Sequence, residues 1–529
     1  MAYTLTEISK IIHAEPHALH GDKSVRILLT DSRKLLYPQD TLFFTIHGPN
    51  RNANTFIDGL YQKGVRAFVV DDKFFGFEKF PEAVFLVTPS PLTALQKLAS
   101  FHRQQFDLPV IGITGSNGKT IVKEWISQLL SKRYHIAKSP KSYNSQIGVP
   151  LSIWQLASTH DLGVFEAGIS TVGEMERLQQ IILPTIGVFT SLGSAHAAGF
   201  KNMEEKAAEK LKLFSSAACL VYPYDNEVLH SEVAKLIKDT NRFLKCFTWG
   251  YSPESTIQII KTHRVGRSTI IQCLIENKEH TFQIPFADNA SVQNVLTCCA
   301  ILLALNIDLD LFSEQLQQLR PVEMRLQMKQ GINQCAVIND SYSADLQSLS
   351  IALQFLGQQR HHALRTLILS DIPEQGIPVD EMYARISKMV NTAGVNRFIG
   401  IGAEVTAHAM HFSGISQTSF YDSTDAFIEN FAAEKFRDEI ILLKGARKFE
   451  FERINFFLEA KTHDAILEID LAAIRHNLKF FMKQLSSGVK IMVMVKAFSY
   501  GTGSYEIASI LENNGVDYLA VAYPDEGVE

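Results

Sequence analysis

Ile111-Gly112-Ile113-Thr114-Gly115-Ser116-Asn117-Gly118-Lys119-Thr120 is the stretch that decides how this 529-residue chain is read. An apolar run from Leu108 to Ile113 leads into it, and Val122, Trp125, Ile126, Leu129 and Leu130 leave it at helical spacing. The pattern predicts a strand, a glycine-rich turn and a helix start. Glycines let backbone N–H groups approach a phosphate, and the helix N-terminus adds partial positive charge. Lys119 can reach the β- and γ-phosphates, and the Thr120 hydroxyl can ligate Mg²⁺. Gly115, Ser116, Asn117, Gly118, Lys119 and Thr120 are therefore the expected ATP loop. Its spacing is irregular, because Ile113 stands where the strict pattern has its first glycine.

Outward from this loop the chain alternates strands and helices. Before it, strands are predicted at 27–29, 41–45, 67–70 and 84–87, with helices at 56–63 and 91–105. After it, strands are expected at 162–166, 186–190 and 217–222, then a β-rich stretch over 243–286 and a helix over 291–305. A third α/β segment has candidate strands at 336–339, 366–370, 397–401 and 439–444. A new pattern opens at Ala465, with a helix carrying Leu471, Ile474, Leu478, Phe481 and Leu485 on one face and a strand at 489–495. The fold class is α/β, built on doubly wound parallel sheets. The expected divisions are 1–106, 107–320, 321–461 and 462–529.

Composition excludes several functions. A formal charge of −5 argues against a nucleic-acid or anionic-membrane binder. No apolar run reaches the roughly 18 residues a membrane span needs. The N-terminus has no basic segment followed by an apolar one, so a cytoplasmic location is expected. The six cysteines have no metal-ligand spacing and read as buried reduced thiols.

Three polar residues stand out downstream. Glu166 ends a predicted strand, where a sheet of this kind places a metal ligand. His196 follows another strand in Ser191-Leu192-Gly193-Ser194-Ala195-His196, and Lys210 lies in a lysine-studded helix. Singly, each is more often a cap, a structural residue or part of a solvated face. Together with the loop they resemble the Mur ligase family, the ATP-dependent amide-forming enzymes of peptidoglycan precursor synthesis. The resemblance extends over residues 25–460. It includes the irregular loop itself, Glu166-Ala167-Gly168-Ile169-Ser170 with Gly173-Glu174, and Lys210-Leu211-Lys212-Leu213-Phe214.

The resemblance implies a three-domain architecture: a UDP-sugar-binding N-terminal domain, a central ATP domain and a Rossmann-like closing domain. It implies two Mg²⁺ ions held through Thr120, Glu166, His196 and a carbamylated Lys210. Asn289, Asn294, Arg325 and Asp340 would contact the nucleotide. Lys119, His196, Lys210, Arg325 and Lys444 would be catalytic. Asp31-Ser32-Arg33 and Tyr143-Asn144-Ser145-Gln146 resemble members that add the third residue or the terminal dipeptide. Asp340-Ser341-Tyr342-Ser343-Ala344-Asp345 and Lys444-Gly445-Ala446-Arg447 favour the dipeptide-adding kind. Substrate contacts are then expected from Ser32, Arg33, Asn144, Ser145, Tyr342, Lys444 and Arg447, with UDP-N-acetylmuramoyl-tripeptide and D-alanyl-D-alanine as substrates. Ser170, Ser343, Asp345-Leu346 and Ala446 depart from the family's pattern. A sister ligase adding one amino acid, and a non-catalytic nucleotide-binding scaffold, are the alternatives.

The last segment resembles the start of an alanine racemase. Leu467-Glu468-Ile469-Asp470 and Asn477-Leu478 fit its opening strand and helix, and Val495-Lys496-Ala497-Phe498-Ser499-Tyr500-Gly501-Thr502-Gly503 fits its pyridoxal-phosphate motif. Lys496 would form the Schiff base of the complete TIM-barrel domain. Such a barrel needs about 250 residues, so this segment is expected not to racemise alone. The resemblance implies a monomeric ligase part and a dimeric complete racemase.

Overall fold

The computed structural model describes residues 2–17, 22–48, 52–193, 199–240, 243–266, 268–322, 325–342, 344–359, 364–372, 377–460, 469–486, 488–501 and 503–528. The chain forms two compact units, His102–Lys461 and Met1–Phe101 with Thr462–Glu529.

In the unit His102–Lys461, the strand Val110–Thr114 lies between Leu162–Glu166 and Ile186–Phe189, parallel to both. Ile136–Lys138 forms the edge beyond Leu162–Glu166, and Cys219–Pro223, Lys245–Gly250 and Ile257–Val265 extend the parallel sheet the other way. Ser268–Ile275 and Lys278–Ile284 add two antiparallel strands. The strands following Val110–Thr114 build first to one side and then to the other. Its carboxyl end is thus the switch point where such sheets bind ligands. Strands covered on both faces must be apolar on both, hence the continuous run Val110-Ile111-Gly112-Ile113. The helices Lys119–Leu130 and Asn289–Ala304 supply Val122, Trp125, Ile126, Val295, Leu296 and Cys299 to the same core.

A second sheet in this unit has the order Gln327–Gln330, Ala336–Asn339, Glu439–Lys444, Leu364–Ser370, Arg397–Ile401, Gln417–Tyr421, parallel except for its first strand. Its carboxyl ends deliver Asp340, Asp371 and Lys444. The two edge strands were not predicted from sequence: both are polar and half-buried or exposed, without a run of apolar residues.

In the other unit, a five-stranded sheet runs Glu15–His17, Val84–Val87, Ala67–Val70, Thr41–Phe44, Ile27–Leu29 around Phe43, Phe68 and Phe85. The capped helix Leu5–Ile12 precedes it and was likewise not predicted. The C-terminal segment contributes the helix Leu471–Met482 and a parallel pair, Met492–Met494 with Tyr518–Ala520. Its small core of Leu478, Met482, Val495, Ile507 and Leu511 packs against Tyr37. Among the described residues no helix is long and apolar enough to cross a membrane.

His102 opens the unit His102–Lys461 as a buried imidazole, its Nε2 3.1 Å from the Leu156 carbonyl and its ring against Trp154. Burial pushes its pKa down to about 4. Between that value and the ordinary 6.5 or so, only the unfolded chain takes the proton. Stability is therefore complete above about pH 6.5 and falls toward pH 4, by up to roughly 3 kcal/mol. Urea unfolding at pH 7.5 and pH 5 checks this. A His102→Phe variant should lose part of the difference, and an unchanged pH dependence in that variant contradicts the assignment.

Candidate active site

The loop after Val110–Thr114 has the geometry its glycines dictate. Gly115 has φ 141° and Gly118 φ 86°, conformations L side chains rarely adopt. Close packing adds a second reason, since a Cβ at Gly118 would fall 2.4 Å from Asn294 Oδ1. Ser116 N–H donates to the Ser191 carbonyl (2.7 Å) and Asn117 N–H to Ser191 Oγ (3.0 Å), which fixes the loop against the neighbouring strand's end. Lys119 leads the following helix and folds back over the loop, donating to the Gly115 and Ser116 carbonyls (2.7 and 3.0 Å). Burial lowers its pKa to about 8, with Glu166 opposing the shift and Arg325 adding to it.

Glu166 is fully buried at the end of its strand. Thr120 Oγ1 donates to Glu166 Oε2 at 3.1 Å and lies 3.0 Å from Ser142 Oγ. Glu166 Oε1 faces the Lys123 ammonium at 3.1 Å but accepts no hydrogen bond among the described residues. A hydroxyl beside a carboxylate with an unused oxygen is a hard-oxygen donor set. Mg²⁺ takes one or two such protein ligands and completes its shell with water and phosphate oxygens. The pair fits that ion, although no cluster of three or more His, Cys, Asp or Glu is placed to hold a metal among the described residues.

The structure adds two lysines that sequence reading passed over. Lys123 is fully buried, one turn beyond Lys119. It donates to the Ser139 carbonyl (2.7 Å) and to that of Lys141, and ion-pairs with Glu166 and Glu124. Lys206 is also fully buried and donates to the Gly193 carbonyl. Its pKa falls to about 8 through burial and the nearby Lys119. Lys210 lies one turn further on the same helix, Met203–Leu211, with its Nζ 3.3 Å from the Gly115 carbonyl. Burial and the Lys119 and Lys206 cations push its pKa well down. The signal was available as i, i+4 spacing: Lys119/Lys123 and Lys206/Lys210 each share one helix face.

The second sheet reaches the same place. Arg325 Nη2 donates to Thr120 Oγ1 at 3.4 Å, and its guanidinium lies 4.4 Å from the Tyr342 ring centroid. Arg447 lies 5.2 Å from that centroid, so Tyr342 carries two arginines. Lys444, fully buried, pairs with Asp340 Oδ2 at 2.6 Å, and Asp340 Oδ1 accepts from the Leu326 N–H at 3.3 Å. In this arrangement Asp340 and Lys444 satisfy each other and brace the segment that carries Arg325.

Other expected site residues are placed more variously. Asn294 joins the loop at Gly118, whereas Asn289, at the start of its helix, accepts from Arg264 (3.3 Å). The Asn144 side chain packs against Gly168, just past Glu166, and Ser145 Oγ accepts from the Gly148 N–H. His196 lies outside the described residues. Ser32 and Arg33 belong to the other unit, where Asp31 grips Arg33 through two side-chain hydrogen bonds and is held down at about 2 by them. They follow the strand Ile27–Leu29 at the carboxyl edge of its sheet. That edge also holds a cavity of about 680 Å³ lined by His47, Asn52, Asn54, Asp71 and Lys73. Asn54 Oδ1 and Asp71 Oδ1 are buried without a partner among the described residues. Lys496 follows Met492–Met494, with its Nζ 5.8 Å from the Tyr500 ring, and opens a left-handed turn, Ala497 to Tyr500 all having positive φ.

A family model, the Mur ligase middle domain, matches residues 113–302, spanning the phosphate loop, Glu166 and Lys210. UDP-N-acetylmuramoyl-tripeptide–D-alanyl-D-alanine ligase of Bacillus subtilis is 26% identical over 448 residues, 83% of this chain and 93% of that protein. The chain carries the middle domain of the Mur ligase family. The ligase of the same description from Escherichia coli is 25% identical over 86% of this chain and 98% of its own length. Among solved structures, MurF from Acinetobacter baumannii shares the fold of this Mur ligase with a TM-score of 0.74, 20% identity and coverage of 86% of this chain and 99% of that one. MurF from Thermotoga maritima in complex with ADP gives a TM-score of 0.67 at 20% identity, covering 82% and 97%. The alanine racemase N-terminal domain model matches residues 469–529, so the ligase is fused to a racemase-type segment.

Proposed function

We propose that this Mur ligase joins D-alanyl-D-alanine to UDP-N-acetylmuramoyl-tripeptide at the expense of ATP, in the cytoplasmic assembly of peptidoglycan precursors. The observation that carries the reading is the meeting of Arg325 with Thr120 beside Glu166, which delivers a cation from the second sheet to the phosphate loop. Residues 107–320 serve as the ATP lobe, 321–461 as the closing lobe and 1–106 as the UDP-sugar lobe, with Ser32 and Arg33 as its contacts.

The tripeptide carboxylate attacks the γ-phosphorus of ATP and ADP leaves, giving an acyl phosphate. The D-alanyl-D-alanine amine then attacks the acyl carbon, forming the amide and releasing phosphate. Lys119 and Arg325 neutralise charge on the transferred phosphoryl group, and Tyr342 holds Arg325 and Arg447 in place. Thr120 and Glu166 would hold a Mg²⁺, with His196 and Lys210 as ligands of a second; bound there, the metal polarises phosphate oxygens. A neutral buried Lys210 amine is the form that adds CO₂, losing a proton to become the anionic carbamate such a site needs. Lys496 is the Schiff-base lysine of the racemase-type segment, its strand-end position fitting pyridoxal phosphate.

Phosphate release tests the ligase reading. It should require ATP, Mg²⁺, UDP-tripeptide and D-alanyl-D-alanine together, and omission of any one should abolish it. Release with a single amino acid replacing the dipeptide would move the assignment to a sister ligase. ATP binding without release would leave a nucleotide-binding scaffold.

A further inference from the structure

One polar junction between the phosphate loop and the second sheet is used by no step above. The helix Leu346–Gln358 begins there, capped by Asp345, which accepts from the Ser348 N–H at 2.9 Å. Its first turn presents Gln347, whose Oε1 accepts from Asn117 Nδ2 of the loop at 3.1 Å. The same carboxamide lies directly over Gly193: a Cβ there would fall 1.5 Å from Gln347 Oε1. Gly193 is itself part of the loop's support. Its N–H donates to Ser116 Oγ (2.8 Å), and its carbonyl accepts from Ser116 Oγ (3.0 Å) and from the buried Lys206. Asp345, in the cap of the same helix, carries the negative charge that acts on Lys206. One helical turn therefore touches the loop at Asn117, lies on its support at Gly193, and faces the lysine that holds that support.

We propose that Gln347 is a positioning residue of the ligase, latching the closing lobe to the phosphate loop through Asn117 and Gly193. The latch sets the loop's geometry and the seat of Arg325 together, so ATP affinity and lobe closure are coupled. This rests on the ligase reading. Gln347 touches neither Lys119 nor Thr120 in the contacts above; it acts through Asn117. Losing one such hydrogen bond at a closed junction should weaken ATP binding about fivefold, with kcat falling as Arg325 is less often seated.

The test uses the full chain, with ATP affinity measured by calorimetry and turnover by phosphate release. Gln347→Ala should weaken ATP binding about fivefold. Gly193→Ala should weaken it further, because the new methyl collides with the carboxamide. The double variant should bind ATP better than Gly193→Ala alone, since truncating Gln347 makes room for the methyl. Urea unfolding of Gln347→Ala should stay near wild type while its ATP affinity falls, a split that a purely structural contact would not give. Wild-type affinity in Gln347→Ala, or no recovery in the double variant, overturns the latch. If Gly193→Ala does not fold, Asn117→Ala and Gln347→Ala decide instead: additive losses in ATP affinity overturn the proposal, and a double variant no worse than either single one supports it. Absence of phosphate release in the wild type would defeat the ligase reading, while the binding measurements would still judge the latch.

Discussion

Lys119→Ala is expected to lower kcat/KM for phosphate release by three orders of magnitude or more, about 4 kcal/mol of transition-state stabilisation. The side chain is placed for this. Its ammonium caps the carbonyls of Gly115 and Ser116 and lies in the field of Glu166 and Arg325. Phosphoryl transfer needs little covalent chemistry from the protein, so positioning and charge carry most of the rate. The lowered pKa, about 8, adds a sign that can be checked. At pH 7 the free enzyme holds Lys119 charged and ready for a polyanion. Above about pH 8 the amine must first regain a proton, so ATP affinity should fall by up to about tenfold per pH unit. Lys119→Ala should lose most of that dependence, Lys206 supplying what remains. Steady-state phosphate release and a pH series of ATP affinities check both, with urea unfolding as the control for fold. Activity within tenfold of wild type in Lys119→Ala would sink the assigned role.

Much of this site was legible because its signals are local. The phosphate loop announces itself by glycines at fixed offsets, flanked by an apolar strand and a helix with apolar i, i+3, i+4 spacing. Glu166 follows from the rule that ligands gather at the carboxyl ends of parallel strands. What sequence reading passed over depends on tertiary partners. Lys123 looks like one more charged residue on a helix, and only the fold shows its ammonium buried against Glu166, Glu124 and two carbonyls. Lys206 sits in a segment that reads as a solvated face, yet its helix turns it inward to Gly193. Gln347 lies 230 residues from its partner Asn117, a separation no local pattern spans. The edge strands Gln327–Gln330 and Gln417–Tyr421 are set by pairing with a buried neighbour, not by their own side chains. Asp340 and Lys444, read from motif as separate functional residues, pair with each other in the fold.

Lys123 also yields the largest expected change in stability. Lys123→Met would remove the one ammonium in contact with Glu166 among the described residues, leaving that fully buried carboxylate with the Thr120 hydroxyl as its donor among them. It would also strip the Ser139 and Lys141 carbonyls of their shared donor. Breaking one side of a buried ion pair costs about 3–5 kcal/mol, more than the pair itself contributes, because the remaining charge stays desolvated. Urea unfolding should show a loss of that size. Adding Glu166→Gln neutralises the orphaned charge, so the double variant should be more stable than Lys123→Met alone. It should remain inactive, because the carboxylate expected to hold Mg²⁺ is gone. Mg²⁺ with ATP offers an independent check. A cation binding at Glu166 replaces the missing charge, so it should stabilise Lys123→Met more than it stabilises the wild type. A Lys123→Met protein within about 0.5 kcal/mol of wild type, the range of ordinary surface substitutions, would mean that Glu166 does not depend on this lysine. Failure of Glu166→Gln to restore stability would place the damage in the Ser139 and Lys141 carbonyls instead of the carboxylate.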